Sequence, residues 1–104
     1  MEKLDLMGKL MDVHVESLTT SRGNIAQEQV VVMVGSLMKF VSYGTDIAYY
    51  DDNTGQLEVT EDWEYSNTTM RYFKQFIEDY TEHDYISVKY FREQLENNDK
   101  IELI

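Results

Sequence analysis

Asp12, His14 and Glu16 alternate along one short stretch of the chain, so on an extended strand all three side chains project from one face. Two carboxylates and an imidazole are donors that divalent metals accept. The same alternation is what any half-exposed strand shows, and the other histidine, His83, stands far away in sequence beside Asp84 in a polar stretch. Asp51-Asp52-Asn53-Thr54-Gly55 has the acids of a calcium loop, yet its glycine is fifth instead of sixth and the twelfth position is Asp62 instead of glutamate. With no cysteine, thiolate chemistry and cysteine–zinc sites are excluded. No nucleophile–base pair or phosphate loop is present, and nothing marks a cleft around paired carboxylates. The chain reads as non-enzymatic, with no cofactor and no metal site.

The informative constellation is acidic. Twenty Asp and Glu stand against nine Lys and Arg, a formal charge of −11, which argues against direct nucleic-acid binding because that needs clustered basic residues. Between residues 40 and 88 lie Asp46, Asp51, Asp52, Glu58, Glu61, Asp62, Glu64, Glu78, Asp79, Glu82 and Asp84, with Arg71 and Lys74 as the only bases. Duplex DNA carries one charge per roughly 1.7 Å of axis, so a carboxylate ridge can imitate it and enter the groove of a basic nucleic-acid-binding protein. Tyr50, Trp63 and Tyr65, set amid these acids, are the expected apolar anchors of that interface. The plainer readings are a solvated acidic surface, or a module that self-associates through a sheet edge or apolar patch as a homo-oligomer.

The elements that must position these residues follow from periodicity. Met11, Val13 and Val15 alternate with the polar trio above as the buried face of a first strand. Thr20-Ser21-Arg22-Gly23-Asn24 suits a turn, and Val30–Val34 is apolar on both faces, as in a central strand. Gly35-Ser36 permits a reversal into an extended stretch, Leu37 to Tyr50, with Val41, Tyr43, Ile47 and Tyr49 on one face and Gly44 marking a bulge or bend. Asp52-Asn53-Thr54-Gly55 has the pattern of a type I turn closed by a left-handed glycine. That register sets Asp52 opposite Gln56, Tyr49 opposite Val59 and Ile47 opposite Glu61, and places Asp46, Tyr50, Glu58 and Asp62 on an outer face without a neutralising base.

Beyond Trp63 the period changes: Met70, Phe73, Phe76, Ile77 and Tyr80 form a helical stripe behind Ser66 or Asn67 as N-cap. Ser87 caps a second helix carrying Val88, Phe91 and Leu95, stopped by Asn97-Asn98. The expectation is one α+β domain spanning residues 1–104, about four antiparallel strands followed by two helices on one face of the sheet. Residues 1–9 fit a short amphipathic helix or a frayed end equally. No apolar window spans a membrane and no signal peptide opens the chain, so it reads as cytoplasmic.

Ser42-Tyr43-Gly44-Thr45-Asp46-Ile47-Ala48-Tyr49, an acidic hairpin turn, and Tyr65-Ser66-Asn67-Thr68-Thr69 opening a helix resemble a module found in small accessory proteins of phages and mobile elements of Gram-positive bacteria. The resemblance covers residues 38–80. It implies a bacterial host cell and an accessory or anti-defence setting, and suggests a CRISPR effector nuclease as the basic partner to be inhibited. It assigns no active-site residue, and Ser66, Thr68 and Thr69 are explained as helix-start residues.

Overall fold

Six strands build one sheet in the computed structural model, which describes residues 12–104. β1 (Val13–Thr19), β2 (Ile25–Val34), β3 (Leu37–Ser42), β4 (Thr45–Asp51) and β5 (Gln56–Val59) form an antiparallel meander, and β6 (Ile101–Leu103) lies parallel to β5 at the far edge. A 3-10 turn (Glu61–Glu64), α1 (Asn67–Tyr80) and α2 (Val88–Asn97) connect β5 to β6. The described residues are therefore α+β, with six strands where the sequence pattern gives four. Met11 and the 1–9 segment lie outside the described residues.

Two differences account for the strand count. The stretch from Leu37 to Tyr50 is a hairpin, because Tyr43 and Gly44 adopt φ of 51° and 78° and close a two-residue turn between Ser42 and Thr45. Positive φ at both central residues is what matches a tight turn to the twist of its strands, so of the two expectations for Gly44, a bulge or a bend, the structure has the bend, tightened into a full reversal. The second addition, β6, has only three residues and carries no readable period; it is held by Leu57 N–H donating to Lys100 O at 2.8 Å and Ile104 N–H to Val59 O at 2.9 Å.

The β4–β5 register also differs by one residue from the expected pairing. Asp51 stands opposite Gln56, Tyr50 opposite Leu57, Tyr49 opposite Glu58 and Ala48 opposite Val59. Phe40 pairs with Ala48 while Val41 pairs with Asp46, so Ile47 is an extra, bulged residue. A bulge inverts the inside–outside phase of the strand residues beyond it. Ile47, Ala48 and Tyr50 are consequently all buried, and Tyr49 turns to the other face. Gly55 has the expected positive φ, 78°, and its N–H donates to Asp51 O at 2.8 Å.

One face of the sheet, here the inner face, carries Val31, Phe40, Ala48, Tyr50, Leu57, Val59 and Ile101, and both helices pack on it. Phe40 stacks against Phe76 (ring centroids 5.7 Å apart) and Phe73 (6.3 Å), and Phe73 meets Phe91 edge-on at 5.1 Å. Trp63 closes the cluster against Phe91 at 5.2 Å, which is why the polar-looking Glu-Asp-Trp-Glu run forms a turn pinned to the core. Aromatics bury about 150–250 Å² each, so this cluster dominates the folding energy. Ser66 Oγ accepts from Thr69 N–H at the start of α1 and Ser87 Oγ from Tyr90 N–H at the start of α2, as the capping pattern predicts. Asn98 N–H donates to Gln94 O where α2 stops.

Candidate functional site

The opposite, outer face of the sheet is covered by neither helix. Val13 and Val15 on β1 lie beside Val34 and Val32 on β2, and Leu37 on β3 stands beside Val34. Val13 is 64% exposed, Val15 56% and Leu37 54%, which corrects the assignment of the β1 valines to a buried face. His14 and Glu16 instead share the side of the helices: Tyr80 Oη–H donates to Glu16 at 2.6 Å and His14 Nε2 lies 3.1 Å from it. Those contacts hold the Glu16 carboxyl below the usual glutamate range, the tyrosine bond first. Among the described residues no cluster of three His, Asp or Glu side chains could hold a metal ion.

A groove of about 730 Å³ runs across the outer face. Val32, Val34, Leu37 and Tyr49 form its apolar side, Asp51, Gln56 and Glu58 the polar one, and Glu102 on β6 stands beside Glu58. Lys39 lies within it with Nζ 3.4 Å from Asp46, whose carboxylate also accepts from the Tyr49 hydroxyl at 2.7 Å. That bond and partial burial push the Tyr49 hydroxyl pKa up. Exposed contiguous apolar surface beside charge is the usual mark of an interaction site.

The expected site residues do not form one ridge. Asp46, Asp51 and Glu58 belong to the outer face. Asp51 also caps the turn, accepting from Asn53 N–H at 2.9 Å and Ser36 Oγ–H at 3.3 Å. Asp52 stands in that turn, and Glu82 and Asp84 in the α1–α2 connection, which docks there through His83 Nε2–H donating to Gly55 O at 2.7 Å. Glu78 and Asp79 are on the solvent side of α1, and Glu61, Asp62, Glu64 and Tyr65 gather at the other end of the strands.

Tyr50 and Trp63, each 2% exposed, are core residues and cannot anchor a partner; the bulge at Ile47 turns Tyr50 inward, and the 3-10 turn inserts Trp63. Burial, and the nearby Glu82, Asp52 and Asp51, raise the Tyr50 hydroxyl pKa. Nor are the acids all unneutralised, since Asp46 pairs with Lys39 and Glu64 with Arg92. Tyr65, 77% exposed, does stand free.

The two halves of the sequence module, some twenty residues apart, meet in space. Ser42 and Thr69, both buried, lie with hydroxyls 3.1 Å apart, and Ser66 Oγ is 3.1 Å from the same Thr69 hydroxyl. Above them opens a polar cavity of about 210 Å³ lined by Tyr43, Thr45, Ile47, Asp62 and Tyr65 together with Ser42 and Thr69. Sequence reading missed the outer valines, Leu37, Tyr49, Glu102 and this cavity. A signal for the first was present: a run apolar on both faces, Val30–Val34, in a chain whose two helices can cover only one.

The match to a family model spans residues 13–93, and the chain belongs to that family, DUF8033, a family of unknown function. No curated protein and no solved structure matches the chain. The family span includes β1 to β5, α1 and the first part of α2, hence both the apolar strip and the polar cavity. Among the described residues no helix is long and apolar enough to cross a membrane.

Proposed function

We propose that this is a non-catalytic binding protein whose outer sheet face docks onto a basic protein surface, such as the nucleic-acid groove of an enzyme that it inhibits. One observation carries the reading: Val13, Val15, Val32, Val34 and Leu37 form a strip that no described element covers, Asp51 borders it, and Glu58 and Glu102 stand further along the same face beyond Lys39 and Tyr49. Apolar contact supplies affinity, while the acids favour basic partners and steer their approach. A nuclease of a bacterial defence system is the partner the mobile-element resemblance suggests, with the protein acting in the bacterial cytoplasm. The acids elsewhere on the surface add long-range attraction.

The experiment measures binding to a panel of basic nucleic-acid enzymes, CRISPR effector nucleases included, with their nucleic acid as competitor. Glu58→Lys combined with Glu102→Lys should weaken binding about tenfold and flatten its salt dependence, while Val15→Ser with Leu37→Ser should weaken it at every salt concentration. A folded double-lysine variant that binds like the wild type sinks the basic-partner reading. A second reading, self-association, is favoured by the strip's position beside β1, whose outer edge has no strand neighbour among the described residues. It predicts dimers that strengthen with protein concentration, survive high salt and vanish in the serine variant, as sedimentation would show.

A further inference from the structure

The cavity at the start of α1 is far too small for the outer-face partner's backbone and is polar where the outer groove is apolar. We propose that it receives one arginine side chain from the basic partner, the guanidinium meeting Asp62 between the rings of Tyr43 and Tyr65. This rests on the reading of the partner as basic and adds a specific contact to it.

Four observations bear on the occupant. The volume, about 210 Å³, falls below the roughly 300–1,000 Å³ of pockets that enclose drug-sized ligands, which suits a single side chain. Asp62 brings a negative charge, and the Lys and Arg ion pairs among the described residues (Lys39–Asp46, Arg92–Glu64) do not include it. Tyr43 and Tyr65 are exposed aromatics, 51% and 77%, whose hydroxyls take part in none of the described hydrogen bonds. Tyr43 also sits at φ 51°, in a turn position that ordinarily takes Asn, Asp or Gly, so an aromatic ring is held at the rim at a backbone cost.

A planar guanidinium answers all of these at once. It forks onto a carboxylate, and its face stacks on tyrosine, which a compact ammonium does less well. The cavity adjoins the N-terminus of α1, where anions are ordinarily favoured, but Ser66 already caps Thr69 N–H and the Asp62 charge opposes an anion.

The test uses the full chain and small probes followed by backbone NMR: N-acetyl-arginine amide, N-acetyl-lysine amide, inorganic phosphate and methyl glucoside. The arginine probe should shift the Tyr43, Thr45 and Tyr65 signals saturably, with the lysine probe weaker. Asp62→Asn should weaken arginine binding about tenfold, the equivalent of about 1.4 kcal/mol. Tyr65→Ala, at an exposed position, should weaken it as well without touching the core. No saturable shift, equal binding by Asp62→Asn, or preference for lysine, phosphate or glucoside overturns the proposal. Because these probes need no partner protein, failure here is distinct from failure of the outer face to bind basic enzymes.

Discussion

The two faces of the sheet are made by the same strands and carry similar apolar residues, yet among the described residues only one is closed. On β2, Val31 is sealed beneath the helices while Val32 and Val34, its neighbours in the chain, border an open groove. The inner side chains are removed from water and held by interlocking rings, so each contributes transfer energy and close packing. The outer ones are half-buried or exposed, with less packing of their own to lose. The contrast separates the residues that fold the protein from those free to meet something else.

Phe73→Ala should have the largest effect, a loss of about 3–5 kcal/mol in denaturant unfolding, since the ring sits among Phe40, Trp63, Tyr85 and Phe91 and leaves a cavity when removed. Stability close to wild type would mean the aromatic cluster does not dominate the inner face.

Gly55→Ala tests the joint where the hairpin meets the α1–α2 connection. A side chain at φ 78° costs about 1–2 kcal/mol, and a Cβ there would meet the carboxylate of Glu82, which is exposed and can swing aside. The alanine variant should therefore melt earlier, and adding Glu82→Ala should recover only a small part of the loss. Full recovery would put the cost in the collision and not in the backbone.

At the margin between the faces, burial and the bond to Glu16 push the Tyr80 hydroxyl pKa up to about 12. In the unfolded chain the group ionises near the ordinary value of 10.0. Its contribution is thus complete below about pH 10 and disappears as pH rises to about 12. Tyr49, Tyr50 and Tyr85 are shifted upward too, Tyr85 mainly by burial, so the wild type should lose stability throughout that window. Tyr80→Phe should lose less between about pH 10 and pH 12, when urea midpoints are compared. Equal alkaline losses would show that the Tyr80 contact does not persist in solution.

Val15→Ser should have the smallest effect, within about 0.5 kcal/mol, because the side chain is already more than half exposed. A loss of the size expected for Phe73→Ala would erase the distinction between the faces and indicate that the strip is covered in solution.

Local chemistry was enough to determine several features from sequence. Ser66 and Ser87 cap helices through hydroxyls acting on amides three residues on, Gly55 takes the left-handed φ its turn demands, and Phe73, Phe76 and Ile77 follow the helical period onto one buried face. Each signal works within a few residues, so the sequence displays it directly. The bulge at Ile47, by contrast, inverts the phase of β4, and with it the fates of Tyr49 and Tyr50, because packing against Phe40 and the helices outweighs simple alternation. The pairing of Leu57 with Ile101 needs a crossover through both helices, and the pairing of Asp46 with Lys39 needs two strands in register. Whether the charges formed a ridge or separate groups, and which face of Val30–Val34 stayed open, depended on contacts between residues remote in sequence. Only the tertiary structure decided those, since the energy that selects among them arises when the elements pack.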